Sequence, residues 1–287
     1  MRRLVMTLGL ALVTAPAHAY VRATTATGHA VRWARPSISI DVYLNALDGV
    51  TDAERRAAVE AAARAWSADE TPCTAVRLSV EFRDGAGPAP ANDGENVLGA
   101  RDDGWCPPDA APPAGASCHP PSAAAATTTS ASAADGRLFD GDTELNTLTF
   151  SWAALDGAGE PHERQDLQSA VTHELGHVLG FDHPCWSGVG PRARDDRGAP
   201  VPDCYGAPPE LARETMFPST EPGDVSRRAL TDDARRGLCE VYPAGEPTAA
   251  GCALARSDPW AAALALLFAA TARSRAARRA SRPSRCP

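Results

Sequence analysis

The run His173-Glu174-Leu175-Gly176-His177-Val178-Leu179-Gly180-Phe181-Asp182-His183 constrains this chain more than any other stretch. From Asp166 onward, Leu167, Ala170, Val171, Leu175 and Val178 recur at helical spacing. On such a helix, positions i and i+4 differ by about 40° in azimuth and one turn in height. His173 and His177 can therefore aim their rings at one point. Gly180 is where the helix can end in a left-handed conformation that other residues resist. The turned chain can then bring His183 back to the same point. Three nitrogen ligands leave a fourth position open, the arrangement of catalytic rather than structural zinc. Glu174, beside the first ligand, is the expected general base. Zinc lowers the pKa of a bound water to about 7, and a neighbouring carboxylate can take its proton and pass it to a leaving amine. Asp182 competes as third ligand, and Cys185 as a fourth that would close the site. His183 is the better zinc donor, and an exported Cys185 near Cys204 suits a disulfide.

The remaining sequence predicts an α+β domain around this motif. Residues 37–44 alternate polar and apolar like a half-buried strand, as do 76–82. Thr51 and Glu54 form a capping box. It opens a helix to about Ser67, with Val59, Ala62, Ala63 and Trp66 on one face. Residues 96–99 read as a short third strand. The Pro-, Ala-, Ser- and Thr-rich stretch 107–136 has linker composition. However, its Thr-rich second part ends at Asp135-Gly136, a hairpin turn signal, so 123–132 is expected to pair back on 138–148. Residues 184–209 show no period and should be irregular. Thr231, followed by Asp232 and Asp233, signals a last helix that ends before Pro243.

Both ends carry targeting patterns. Arg2 and Arg3, an apolar run over 4–13, and Ala17-His18-Ala19 have the layout of a secretory signal peptide. Residues 1–19 are the expected signal, 20–246 the catalytic domain, and 247–287 a tail. That tail holds Gly251-Cys252, an apolar run over 260–271, and six Arg beyond it. The run is shorter than the roughly 20 residues of a spanning helix. Nine of the 28 basic residues, but only one of the 36 acidic ones, lie outside 20–251. The body is thus more acidic than the overall formal charge of −8, which argues against nucleic-acid or anionic-membrane partners. Six of the eight Cys fall in the body. Short loops favour Cys106–Cys118 and Cys185–Cys204, leaving Cys73–Cys239, with an exported location.

The sequence 173–183 resembles the HExxHxxGxxH signature of the metzincin zinc peptidases. Glu214-Thr215-Met216-Phe217-Pro218 looks like their Met-turn, in the order closest to the matrixins (peptidase family M10). Asp166-Leu167-Gln168-Ser169, Leu145-Asn146 and Leu230-Thr231-Asp232-Asp233 are similar to bacterial matrixin homologues. The resemblance implies a twisted mixed sheet, an active-site helix beneath it, and a small C-terminal subdomain whose Met216 lies under the metal. It implies one catalytic Zn2+ on His173, His177 and His183, Glu174 as base, and a monomeric endopeptidase acting on extracellular protein or peptide substrates. The tail resembles the sorting tails of the MYXO-CTERM type, which implies membrane contact, processing near Cys252 and release or display at the cell surface. The match departs from the family in several places. No Pro-Arg-Cys-Gly switch occurs, Pro184 follows His183, and no Tyr lies two residues beyond Met216. The insertion 184–209 is either a solvated acidic loop or a Ca2+ site using Asp195, Asp196 or Asp203. Two other functions fit the same residues, a non-catalytic zinc-binding surface module and a hydrolase of cell-wall peptides.

Overall fold

Alternating side chains that must bury one face give this chain a sheet, and the computed structural model describes it over residues 20–45, 47–102, 105, 119–156 and 163–245. The expected signal segment, the Cys106–Cys118 pair and the tail lie outside the described residues. The chain divides into two compact units, Met1–Glu246 and Pro247–Pro287, and every described residue belongs to the first.

The elements run β1 (Val21–Arg22), β2 (Arg32–Trp33), β3 (Ser37–Tyr43), α1 (Asp52–Ala65), β4 (Arg77–Phe82), β5 (Val97–Arg101), β6 (Ala125–Ala131), β7 (Arg137–Asn146), β8 (Trp152–Ala153), β9 (Gln165–Asp166), α2 (Leu167–Val178), β10 (Phe181–Asp182), α3 (Pro209–Ala212) and α4 (Asp232–Val241). The main sheet has the order β2-β7-β5-β3-β4, all parallel, with β6 antiparallel on β7. This is a mixed, mostly parallel sheet with helices packed against it, an α+β arrangement.

Local chemistry explains the elements that position the site. In α1 the capping box forms as expected. Thr51 Oγ1 accepts the Glu54 amide, and Glu54 Oε2 accepts the Thr51 amide at 2.7 Å, a pair that supplies about 1 kcal/mol. The helix ends at Ala65, two residues before the expected limit, because Trp66 turns inward as its C-cap. Trp66 is fully buried, stacks on Phe181 at 5.4 Å, and donates its indole N–H to Thr172 O at 2.6 Å. One residue thereby locks α1 to α2. The 123–132 stretch forms β6 and turns at Asp135-Gly136 into β7, with Thr127 opposite Thr143. The linker composition is overridden because Thr tolerates a half-buried pleat and the turn fixes the register.

The carboxyl end of α2 is satisfied from three sides. Trp33 Nε1 donates to Val178 O at 2.7 Å, Tyr242 Oη to Leu179 O at 2.7 Å, and Ala23 N to Gly180 O at 2.9 Å. Gly180 has φ +86°, and a Cβ there would sit 2.8 Å from Val31 O, so both conformation and space demand glycine. Its amino end is capped by Asp166, whose carboxylate accepts Ser169 N at 2.9 Å and is held by Arg228. Thr231 is the N-cap residue of α4, as expected. It makes no side-chain cap bond; its hydroxyl donates to Glu214 instead. Of the expected disulfides, Cys73–Cys239 and Cys185–Cys204 are both formed. Among the described residues, no helix is long and apolar enough to cross a membrane.

Candidate metal centre and cleft

His173 and His177 project from one face of α2, and the strand pair β1–β10 carries the returning chain to His183. The three Nε2 atoms converge. His183 Nε2 lies 3.2 Å from His173 Nε2 and 3.0 Å from His177 Nε2. Among the described residues these three are the one group of His, Cys, Asp or Glu gathered closely enough to share an ion.

The opposite ring nitrogens decide what the inward atoms can do. His173 Nδ1 donates to Thr215 O at 2.8 Å, and His177 Nδ1 donates to Phe181 O at 2.8 Å. A carbonyl only accepts, so each Nδ1 carries the proton and each Nε2 presents a lone pair. Lone pairs gathered at van der Waals distance repel unless a cation sits among them, and imidazole nitrogens suit zinc. The donor set therefore fits a zinc ion. Burial, reinforced by the neighbouring His177 and His183, pushes His173 well below the ordinary imidazole range. Burial and His177 bring His183 down to about 3. Both rings are held neutral, as ligands must be.

Glu174 is buried, and burial raises its pKa, opposed by His177 and by a hydrogen bond from Thr127. Thr127 Oγ1 donates to Glu174 Oε2 at 2.7 Å and lies 2.9 Å from Thr143 Oγ1. Since Thr127 spends its proton on the carboxylate, Thr143 donates to Thr127. Neither threonine stood out in the sequence, where Thr127 is one of a low-complexity Ala/Thr run. Only the β6–β7 register brings them under Glu174.

The segment 214–218 passes beside the triad. Met216 is buried, with its Sδ where a Cβ on Gly176 would lie 2.2 Å away. Gly176 is thus required so that Met216 can approach α2. The disulfide Cys185–Cys204 folds the insertion 184–209 back on itself, and Cys185, Leu211 and Phe217 form a small second core behind the triad. The candidate calcium ligands do not converge. Asp195 accepts backbone N–H groups of its own turn, Asp196 pairs with Arg236, and Asp203 pairs with Arg192. Among the described residues these three make no cation cage, because each carboxylate already has a nearer donor. Asp182 accepts His183 N at 2.7 Å, so it orients the backbone of His183.

The triad opens into a cleft of about 510 Å³. It is lined by Ala125 to Thr127 of β6, by Ala170, His173 and Glu174 of α2, and by Phe217 to Thr220. No family model matches this chain, and no curated protein sequence matches it.

Proposed function

We propose that this chain is a zinc-dependent metalloendopeptidase of the metzincin type, cutting extended peptide segments. The observation that carries the reading is the convergence of three imidazoles, two of them locked through Nδ1 by backbone carbonyls, beside a buried carboxylate in an open cleft. A zinc ion bound there supplies Lewis acidity to water and to a peptide carbonyl at neutral pH.

The protein's own groups do the rest. Glu174 takes a proton from the attacking water and delivers it to the leaving amine. Its raised pKa brings the carboxylate closer to the working range of a general base. Thr127 holds one carboxylate oxygen and leaves the other to face the reaction. In the described sheet β6 pairs with β7 alone, so its second edge offers backbone N–H and C=O groups along the cleft. An extended peptide can add to that edge as a further strand, which aligns a backbone bond with the triad. Such binding suits protein substrates better than compact small molecules. The signal-like and tail-like ends support an exported location at or near the cell surface.

The test is metal analysis with proteolysis on one sample. The purified protein should carry about one zinc per chain and cleave casein until chelated. Glu174→Ala should keep its zinc and lose at least about 100-fold in rate. A fully active Glu174→Ala protein would overturn the mechanism. Zinc-loaded protein inert towards every peptide would favour a non-catalytic module instead.

A further inference from the structure

Two adjacent arginines in the segment after the cleft wall are treated differently by the fold. Arg228 is fully answered, with Nε and Nη2 bonded to both oxygens of Asp166 and Nη2 also to Leu155 O. Arg227 is not. It is only 2% exposed, yet its Nε and Nη1 have no hydrogen-bond partner among the described residues. Its one contact runs from Nη2 to Ser219 O. Asp224, whose charge acts on it, spends an oxygen on Ser226 N at 2.8 Å and makes no ion pair with it among the described residues.

A guanidinium stays charged in any protein setting. Burying one without a carboxylate costs several kcal/mol, and two idle N–H vectors add to that cost. The fold gives the less buried Arg228 a carboxylate and leaves the more deeply buried Arg227 without one. Arg227 also lines the cleft, together with Ser219, Thr220, Ala170 and His173, and its charge reaches both His173 and His183. The missing partner is therefore one that enters through the cleft.

We propose that Arg227 is a specificity-determining residue that receives the carboxylate of an Asp or Glu side chain of the peptide, one position from the bond presented to the triad. The proposal rests on the peptidase reading and names its substrate class. Nη1 of Arg227 has no partner among the described residues, and its N–H groups can donate charge-assisted hydrogen bonds to a carboxylate oxygen. An asparagine or glutamine in the same place offers only one oxygen and sets an amide N–H against the guanidinium. The chain's formal charge of −8 disfavours a run of acids by long-range repulsion. The preferred segment is thus a single acidic residue in neutral or basic surroundings.

The test has two arms on the zinc-loaded full chain. In the first, a proteome-derived peptide library is digested and the cut sites are read by mass spectrometry. Asp and Glu should be enriched about tenfold or more at one position flanking the cut, and Arg227→Met should abolish that enrichment in favour of apolar residues. A wild-type profile indifferent to acids overturns the proposal while leaving the peptidase reading intact, and it needs no variant to fold. The second arm needs no turnover. N-acetyl-glutamate α-amide and N-acetyl-glutamine α-amide are titrated into Glu174→Gln protein by calorimetry. The acid should bind at least about tenfold more tightly, and Arg227→Met in that background should erase the difference. Equal binding of the two, or an acid preference that survives Arg227→Met, rejects the assignment even if the chain cuts nothing.

Discussion

The carbonyl of Thr215 accepts the Nδ1 proton of His173 at 2.8 Å, so the first imidazole and the turn carrying Met216 are one mechanical unit. Met216 in turn occupies space that only Gly176 leaves open. The His173 ring of the triad is thus oriented from behind by a segment some forty residues further along the chain.

This coupling predicts the outcome of Gly176→Ala. Alanine gains about 1 kcal/mol of helix propensity, but its Cβ meets Met216 Sδ and Trp66, and overpacking costs typically 1–3 kcal/mol. Displacing Met216 also moves the Thr215 carbonyl, and such outer partners are worth 10–100-fold in metal affinity. Chelator competition should show zinc held at least about tenfold more weakly. A variant with unchanged affinity and stability would refute the coupling.

Thr127→Val keeps the shape of the β6 position and removes the hydroxyl that holds Glu174. The carboxylate keeps its place on α2 but loses its orienting bond, worth about 1.5–3 kcal/mol to a charged group. The expected result is a fall in kcat of roughly tenfold or more with KM nearly unchanged and zinc retained. Steady-state kinetics on a single peptide decides it. A variant that changes only KM would assign Thr127 to substrate binding instead.

The two described disulfides should differ in reach. Cys185–Cys204 closes a separation of 19 residues and Cys73–Cys239 one of 166. Loop entropy gives about 3 and about 5 kcal/mol respectively. Paired Cys→Ala replacement of 185 and 204 should expose residues 184–209 to proteolysis while the rest of the domain persists. Replacement of 73 and 239 should lower the global unfolding midpoint more, because it frees α4 from the α1–β4 connection. Urea unfolding of each pair, with limited proteolysis, tests the order.

Asp142 supplies a pH signature outside the metal centre. It is almost fully buried on β7, and burial pushes its pKa up to about 6, even though the amides of Ala91 and Val97 bond to it. A carboxyl raised in the folded state contributes stability that is complete below the unfolded value of 3.8 and is lost as pH climbs through about 6. The cost of keeping it charged is about 3 kcal/mol. Relative to wild type, Asp142→Asn should therefore gain stability between pH 4.5 and pH 7.5. Comparing the two proteins at each pH cancels changes common to both. A difference that is flat with pH would show that Asp142 does not carry this cost.

Much of this architecture was readable one segment at a time. The capping box at Thr51, the alternation in β3 and β4, the Asp135-Gly136 turn and the helical period after Asp166 are local signals, and each element formed within a few residues of its expected bounds. The strands β1, β2, β8, β9 and β10 went unseen because two-residue pairings carry no period. Thr231 is the N-cap residue of α4, but its hydroxyl bonds Glu214 rather than the helix end, since a hydroxyl bonds whichever acceptor tertiary packing places nearest. Thr127, Thr143 and Arg227 were silent for a related reason. Their roles come from what faces them across the fold, not from neighbours in the chain.

By itself, the sequence determined the histidine spacing, the helix beneath it and the glycine stop at Gly180, because these follow from period and backbone freedom, whereas loop length only favoured the cysteine pairs that the fold brings together. Tertiary structure alone decided which nitrogen of each histidine faces inward, which hydroxyl holds Glu174, and that Arg228 meets a carboxylate while Arg227 does not. Those outcomes depend on carbonyls and side chains far away in the chain, whose distances no local pattern encodes.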